Sequence, residues 1–196
     1  LLTLKLIATT KLPTPWAEFD LRAFQDAEGL DHLCLSLGNL GSESLMRIHS
    51  QCLTGDALFS LRCDCGDQLE TAMKQIASQG SGLIIYMAQE GRGIGLANKI
   101  KAYELQDAGL NTVEANRKLG FEDDERNYDV TGQILNAIGV SRVKLMTNNP
   151  KKIEGLERAG IQVVERIPIE APANKINKSY IDTKIKDMGH IFKEKP

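Results

Sequence analysis

Leu83-Ile84-Ile85-Tyr86-Met87-Ala88-Gln89-Glu90-Gly91-Arg92-Gly93-Ile94-Gly95-Leu96 is the stretch on which the fold class turns. The apolar run 83–86 reads as a buried strand. The glycine-rich segment 90–95 reads as a loop, and Leu96, Ile100 and Tyr103 then recur at helical spacing as far as Gly109. A strand, a loop and a helix in that order form the basic unit of an α/β layer.

The pattern extends in both directions. Leu69, Met73, Ile76 and Ala77 predict a helix after Gly66, with Gly80 as its stop signal. From Thr3 to Ser50 the chain alternates in short runs (Leu4, Leu6, Ala8; Phe19, Leu21, Ala23; Leu33, Leu35, Leu37), which predicts strands in antiparallel array. Downstream, Ile134, Leu135 and Ile138 mark a helix, 143–146 a strand, Ile153 and Leu156 a helix, and Val163-Val164 a last strand. The expected fold class is therefore α/β: mixed sheet layers with packed helices, the N-terminal part mainly antiparallel. One domain is expected over residues 1–196, with roughly 170–196 as a peripheral tail whose Ile181, Ile185 and Met188 could share a helix face. No internal repeat or low-complexity segment interrupts it.

The chain of 196 residues has 42% hydrophobic and 26% charged residues and a formal net charge of −2, the composition of a soluble globular protein rather than a nucleic-acid binder. A polyanionic ligand would have to be met by local basic residues. The longest apolar stretch, 83–88, is too short to span a bilayer, and the start of the chain, broken by Lys5, lacks a signal-cleavage pattern. No membrane partner and a cytoplasmic location are expected.

Cys52, Cys63 and Cys65 place three thiols within fourteen residues. Three thiolates suit a soft tetrahedral zinc and leave a fourth position open, as a catalytic zinc requires. Two other readings stand beside this one: the thiols are small buried hydrophobes, or Cys34 completes a structural four-cysteine site. Cys34 lies inside the alternation Leu33-Cys34-Leu35-Ser36-Leu37, where a small core residue is expected.

Two segments could meet an anion. In Gln89-Glu90-Gly91-Arg92-Gly93-Ile94-Gly95, glycines let backbone approach phosphate oxygens before a helix N-terminus, and Arg92 adds a cationic fork. In Thr147-Asn148-Asn149-Pro150-Lys151-Lys152, Asn149 can cap a helix that opens with Pro150 and two lysines. Each is equally a plain turn or a well-capped helix on local pattern alone. Glu90 could accept from the N1 and exocyclic amino groups of guanine, or simply face water. The acidic segment Glu122-Asp123-Asp124-Glu125-Arg126 reads as a solvated turn.

Taken together, Arg47-Ile48-His49-Ser50-Gln51-Cys52-Leu53-Thr54-Gly55-Asp56, Arg62-Cys63-Asp64-Cys65-Gly66 and the 89–96 segment resemble GTP cyclohydrolase II in order and spacing. The likeness continues through Val113-Glu114-Ala115-Asn116, Leu119-Gly120-Phe121, Asp124-Glu125-Arg126, the 147–152 segment and Asp182-Thr183-Lys184. This resemblance implies zinc on Cys52, Cys63 and Cys65. It sets the nucleotide against Arg47, Ile48, His49, Ser50, Gln51, Gln68, Glu90, Gly91, Arg92, Thr112, Thr147 and Lys152. It makes Asp124 a proton acceptor and Arg126 the proposed nucleophile, and it brings Tyr103 near the reacting ring. The family usually has glutamate where Gln51 stands, and glutamine can neither accept a proton nor carry a full charge.

The implied reaction opens the guanine ring of GTP at C8 with zinc-activated water and releases formate and pyrophosphate, leaving a diaminopyrimidinone ribosyl monophosphate, the first step of riboflavin synthesis. Arg126 would attack the α-phosphorus, with Asp124 taking its proton, or would only stabilise developing charge. Magnesium is expected on the triphosphate and a homodimer as the assembly. The length leaves no room for the dihydroxybutanone phosphate synthase domain sometimes fused to this family, so a monofunctional enzyme is expected. The alternatives are a cyclohydrolase that stops at a formamidopyrimidine and a zinc-stabilised GTP-binding protein without turnover.

Overall fold

The computed structural model describes residues 4–41, 43–171 and 174–192. Thr3, the expected start of the first strand pattern, and the extreme ends of the expected domain and tail lie outside the described residues. Four strands come first: β1 (Lys5–Pro13), β2 (Glu18–Gln25), β3 (Asp31–Leu37) and β4 (Ser44–Ser50). The one-turn helix α1 (Leu53–Asp56), α2 (Cys65–Gln79) and β5 (Gly82–Met87) follow, then a 3-10 turn at Glu90–Gly93. The remainder is helical with two strands: α3 (Leu96–Asp107), α4 (Thr112–Lys118), α5 (Asp129–Ala137), β6 (Arg142–Met146), α6 (Pro150–Arg158), β7 (Gln162–Ile167) and α7 (Lys178–Lys186).

All seven strands join one sheet in the order β1-β2-β3-β5-β4-β6-β7. The β1, β2, β3 and β5 pairings are antiparallel, as the N-terminal alternation predicts, whereas β4 runs parallel to both β5 and β6. The apolar run 83–86 lies in β5, at the centre. Both faces of β5 are covered, which explains why its sequence does not alternate: Leu83, Ile85 and Met87 pack with Ile134, Leu135 and Leu156 of α5 and α6, while Ile84 packs with Ala72, Met73 and Ile76 of α2. Cys34 is fully buried in the first of these cores and stands apart from the other thiols, so it is the small core residue its strand context suggests.

Helix α2 ends at Gly80, whose φ of 74° is the left-handed cap that glycine adopts without a Cβ clash. Helix α3 departs from its expected face. Leu96 and Ile100 are exposed, and Lys99 and Ala102 are its buried residues. The segment expected at the periphery also departs: α7 buries Ile181 and Lys184. Helix α4 escapes a hydrophobic reading, although Asn111 and Glu114 form a capping box at its start.

Candidate active site

Ligands of open α/β sheets bind beyond the carboxyl ends of the parallel strands, and here three such ends converge. β4 runs into Gln51 and Cys52, β5 into the Glu90 turn, and β6 into the 147–152 segment. Two adjoining clefts open there, and both are lined by Ser50, Cys65, Arg92, Arg126 and Tyr180.

The first cleft holds the cysteines. The Sγ atoms of Cys52, Cys63 and Cys65 all lie within 4.8 Å of one another, and those of Cys52 and Cys63 are 3.6 Å apart. Thiolates bonded at about 2.3 Å to a tetrahedral zinc stand roughly 3.8 Å apart, so this donor set fits that ion. Asp56 braces the turn: its Oδ2 accepts from the Cys52 N–H at 3.0 Å and the Tyr86 hydroxyl at 2.8 Å, while Oδ1 lies 3.0 Å from His49 Nε2. Burial pushes the His49 imidazole down, against the opposing pull of Asp56. Lys99 donates to Cys52 Sγ at 3.0 Å and to Glu90 Oε1 at 2.7 Å. Tyr103 Oη sits 3.3 Å from Thr54 Oγ1 and is pushed up by burial.

Glu90 points inward. Oε1 also accepts from the Gly91 N–H at 2.9 Å and Oε2 from the Leu53 N–H at 2.7 Å, which pins the 3-10 turn to α1. One lone pair of Oε2 is all that remains for a base edge. Next to it Gly91 and Arg92 have φ of 63° and 65°. The arginine holds this costly left-handed conformation while its carbonyl accepts from the Glu125 N–H at 3.1 Å. Its side chain lines both clefts.

The second cleft is lined by five basic side chains, Arg47, Arg92, Arg126, Lys152 and Lys184. Arg47 and His49 project from β4 towards α2, where Arg47 Nη2 meets Gln68 Oε1 at 2.5 Å and Nη1 reaches the Met146 carbonyl at 2.9 Å. Burial lowers the Arg47 guanidinium to about 10. Lys152 donates to the Ile48 carbonyl at 2.8 Å, and burial, followed by Arg47, Arg126 and Lys184, pushes its ammonium well below the ordinary value. The Ile48 side chain faces the opposite core, so only its backbone can serve the site. Asp124 and Arg126 meet in a two-point ion pair, with side-chain exposures of 2% and 13%, rather than in a solvated turn. Thr112 lies at the α4 end of the first cleft, and buried Thr147 closes the second.

Of the buried side-chain atoms with no hydrogen-bond partner among the described residues, Arg47 Nε, His49 Nδ1, Ser50 Oγ, Gln89 Oε1 and Arg92 Nη2 belong to residues lining these clefts. Buried polar groups are nearly always paired, so such a concentration marks a place built for a polar ligand. Lys99, Tyr180 and His190 carry no motif in the sequence, and Asp64, Asn116 and Lys184 lie in the motifs of the family resemblance without a site role of their own. The signal for Lys99 was a lysine interrupting an otherwise apolar helical face, and that for Asp64 its place between two cysteines.

Fold and site define an α/β protein with a thiol pocket fit for zinc that opens onto a cation-lined cleft for a polar ligand. The chain belongs to the GTP cyclohydrolase II family, whose sequence profile matches residues 5–168. The GTP cyclohydrolase-2 proteins of Shewanella sp. (strain MR-4) and Shewanella oneidensis are each 56% identical to it, over 98% of this chain and 97% of theirs. That of Shewanella baltica (strain OS155) is also 56% identical, over 98% of this chain and 96% of its own. A looser likeness, with a TM-score of 0.47 and 18% identity over 87% of this chain and 41% of the other, links it to the crystal structure of RibBX, a two-domain 3,4-dihydroxy-2-butanone 4-phosphate synthase from A. baumannii.

Proposed function

We propose that this chain hydrolyses GTP to 2,5-diamino-6-(5-phosphoribosylamino)pyrimidin-4(3H)-one with release of formate and pyrophosphate, the first step of riboflavin biosynthesis. The observation that carries this reading is the junction of the two clefts, where a three-thiol pocket meets five basic side chains across shared Ser50, Cys65, Arg92, Arg126 and Tyr180. Such a junction seats a purine ring at one end and a triphosphate, with its magnesium, at the other.

Cys52, Cys63 and Cys65 would hold zinc, which supplies a Lewis acid that activates water at the base end. Tyr103, whose hydroxyl lies next to Thr54, is placed to move protons there. Thr112 and the 3-10 turn, with Glu90 Oε2, position the base. Arg47, with Gln68 behind it, joins Arg92, Lys152 and the Thr147 turn in holding the phosphates, and His49, Ser50 and Gln51 floor the passage between the clefts. Arg126 faces the α-phosphate as a cation gripped by Asp124. Its paired, charge-retaining state supports charge stabilisation over nucleophilic attack. The Gln51 side chain makes no hydrogen bond among the described residues, and its N–H is tied to the Met87 carbonyl at 2.8 Å. Glutamine is therefore compatible with the geometry. Exposed Leu58, Phe59 and Leu61 offer apolar surface for a homodimer.

The test is zinc-loaded protein incubated with GTP and magnesium, with formate, pyrophosphate and the pyrimidine followed together beside Cys52→Ser. All three products are expected from the wild type, and loss of formate with loss of zinc from the variant. GTP binding without any product would overturn the reading.

A further inference from the structure

Helix α7 and the residues after it are built into the cation-lined cleft, and the substrate roles assigned above leave them without one. Asn177, Ile181 and Lys184 are buried, and beyond the helix the Ile191 N–H donates to the Asn148 carbonyl at 2.8 Å, strapping the segment to the 147–152 turn. Lys184 Nζ hydrogen-bonds Asp64 Oδ1 and lies 4.5 Å from the centre of the Tyr180 ring. The other oxygen of Asp64 accepts from Gln68 Nε2 at 2.7 Å, and Gln68 Oε1 accepts from Arg47. Asp64 and Gln68 thus form a rigid spacer that sets Lys184 at a fixed distance from Arg47. An ammonium has three protons, and Asp64 takes only one.

The charge is not balanced within the protein. Asp64 serves Lys184 and Asp124 serves Arg126, but among the described residues no carboxylate is bonded to Arg47, Arg92 or Lys152. His190 registers this surplus. Burial first, then Lys184, Arg126, Lys152 and Arg92, push its imidazole down to about 2. Four cations from four separate parts of the chain therefore act on one point.

We propose that Lys184, presented by α7 and held by Asp64, is a further phosphate-binding residue, donating to the triphosphate of GTP alongside Arg47 and Lys152. This rests on the function proposed above and extends it by making α7 a wall of the phosphate site.

The test uses the zinc-loaded protein and two probes, inorganic tripolyphosphate and guanosine, with calorimetric dissociation constants for wild type, Lys184→Met and Lys184→Arg. Lys184→Met alone strands Asp64, so the double variant Asp64→Asn/Lys184→Met is measured beside it. Tripolyphosphate affinity is expected to fall by about 10- to 100-fold in Lys184→Met and in the double variant, the scale of one charge-assisted hydrogen bond. Guanosine affinity should hold within about twofold, and Lys184→Arg should recover most of the loss. Equal losses for both probes, or an unchanged tripolyphosphate constant, would overturn the proposal while wild-type turnover of GTP leaves the enzyme reading intact. A wild type that neither binds nor turns over GTP would overturn both.

Discussion

Arg126 and Asp124 lie two residues apart and grip each other at two points, Nε to Oδ1 at 2.7 Å and Nη2 to Oδ2 at 2.8 Å, while the Arg126 N–H reaches Oδ1 at 3.3 Å. Burial disfavours the guanidinium charge, yet Tyr128 and Asp124 hold its pKa above the ordinary value. Asp124 is in turn kept below the usual carboxylate range by Arg126 despite its burial. The pair stays ionised across the working pH range.

Lysine in place of Arg126 keeps the charge and loses the fork. If Arg126 acts as a positioned cation, Arg126→Lys should retain measurable pyrophosphate release, reduced by about 10²- to 10³-fold, the usual cost of losing one preorganised donor to developing charge. Release kinetics with GTP and magnesium check this. Complete loss in Arg126→Lys would instead favour a nucleophilic guanidinium.

Two of the three thiols pack over Gly55, where an added Cβ would stand 2.8 Å from Cys63 Sγ, 3.2 Å from Cys52 Sγ and 3.2 Å from Cys65 Cβ. Gly55→Ala must push those sulfurs apart. Overpacking of this kind costs about 1–3 kcal/mol, and at the proposed zinc site it would fall on metal affinity, so zinc retention against a competing chelator should drop about tenfold or more. The far-UV circular dichroism should remain that of the wild type.

His190 has a folded pKa of about 2 against an ordinary value of 6.5. A depressed folded value means that its contribution to stability is complete above about pH 6.5 and is lost as pH falls below it, with a slope no steeper than about 1.4 kcal/mol per pH unit. Hydrogen exchange of α7 amides should accelerate between pH 6.5 and 5 relative to the rest of the sheet, after correction for intrinsic exchange. His190→Gln should flatten that dependence.

Ile85 is fully buried on the α5/α6 side of β5, between β3 and β4. Ile85→Ala removes packing that cannot collapse onto a strand held from both sides, so a loss of about 2–5 kcal/mol is expected from the denaturant midpoint.

Much of this protein was determined by local sequence. The apolar run of β5 and the 3.6-residue period of α2 with its Gly80 stop depend on the pleat and the helical repeat, which act within a few residues, whereas the spacing of the three thiols left a metal site, plain burial and a four-cysteine site all open. Tertiary structure decided what the periods do not encode. The parallel course of β4 beside β5 brings Arg47 under Gln68 and the Glu90 turn onto α1. It also turns α3 so that Lys99 faces Cys52 and Glu90 while Leu96 and Ile100 face outward, because buried charges require partners more strictly than two leucine-sized side chains require cover. Asp64 and Lys184, 120 residues apart, meet only once the whole sheet is assembled. No window along the chain contains both.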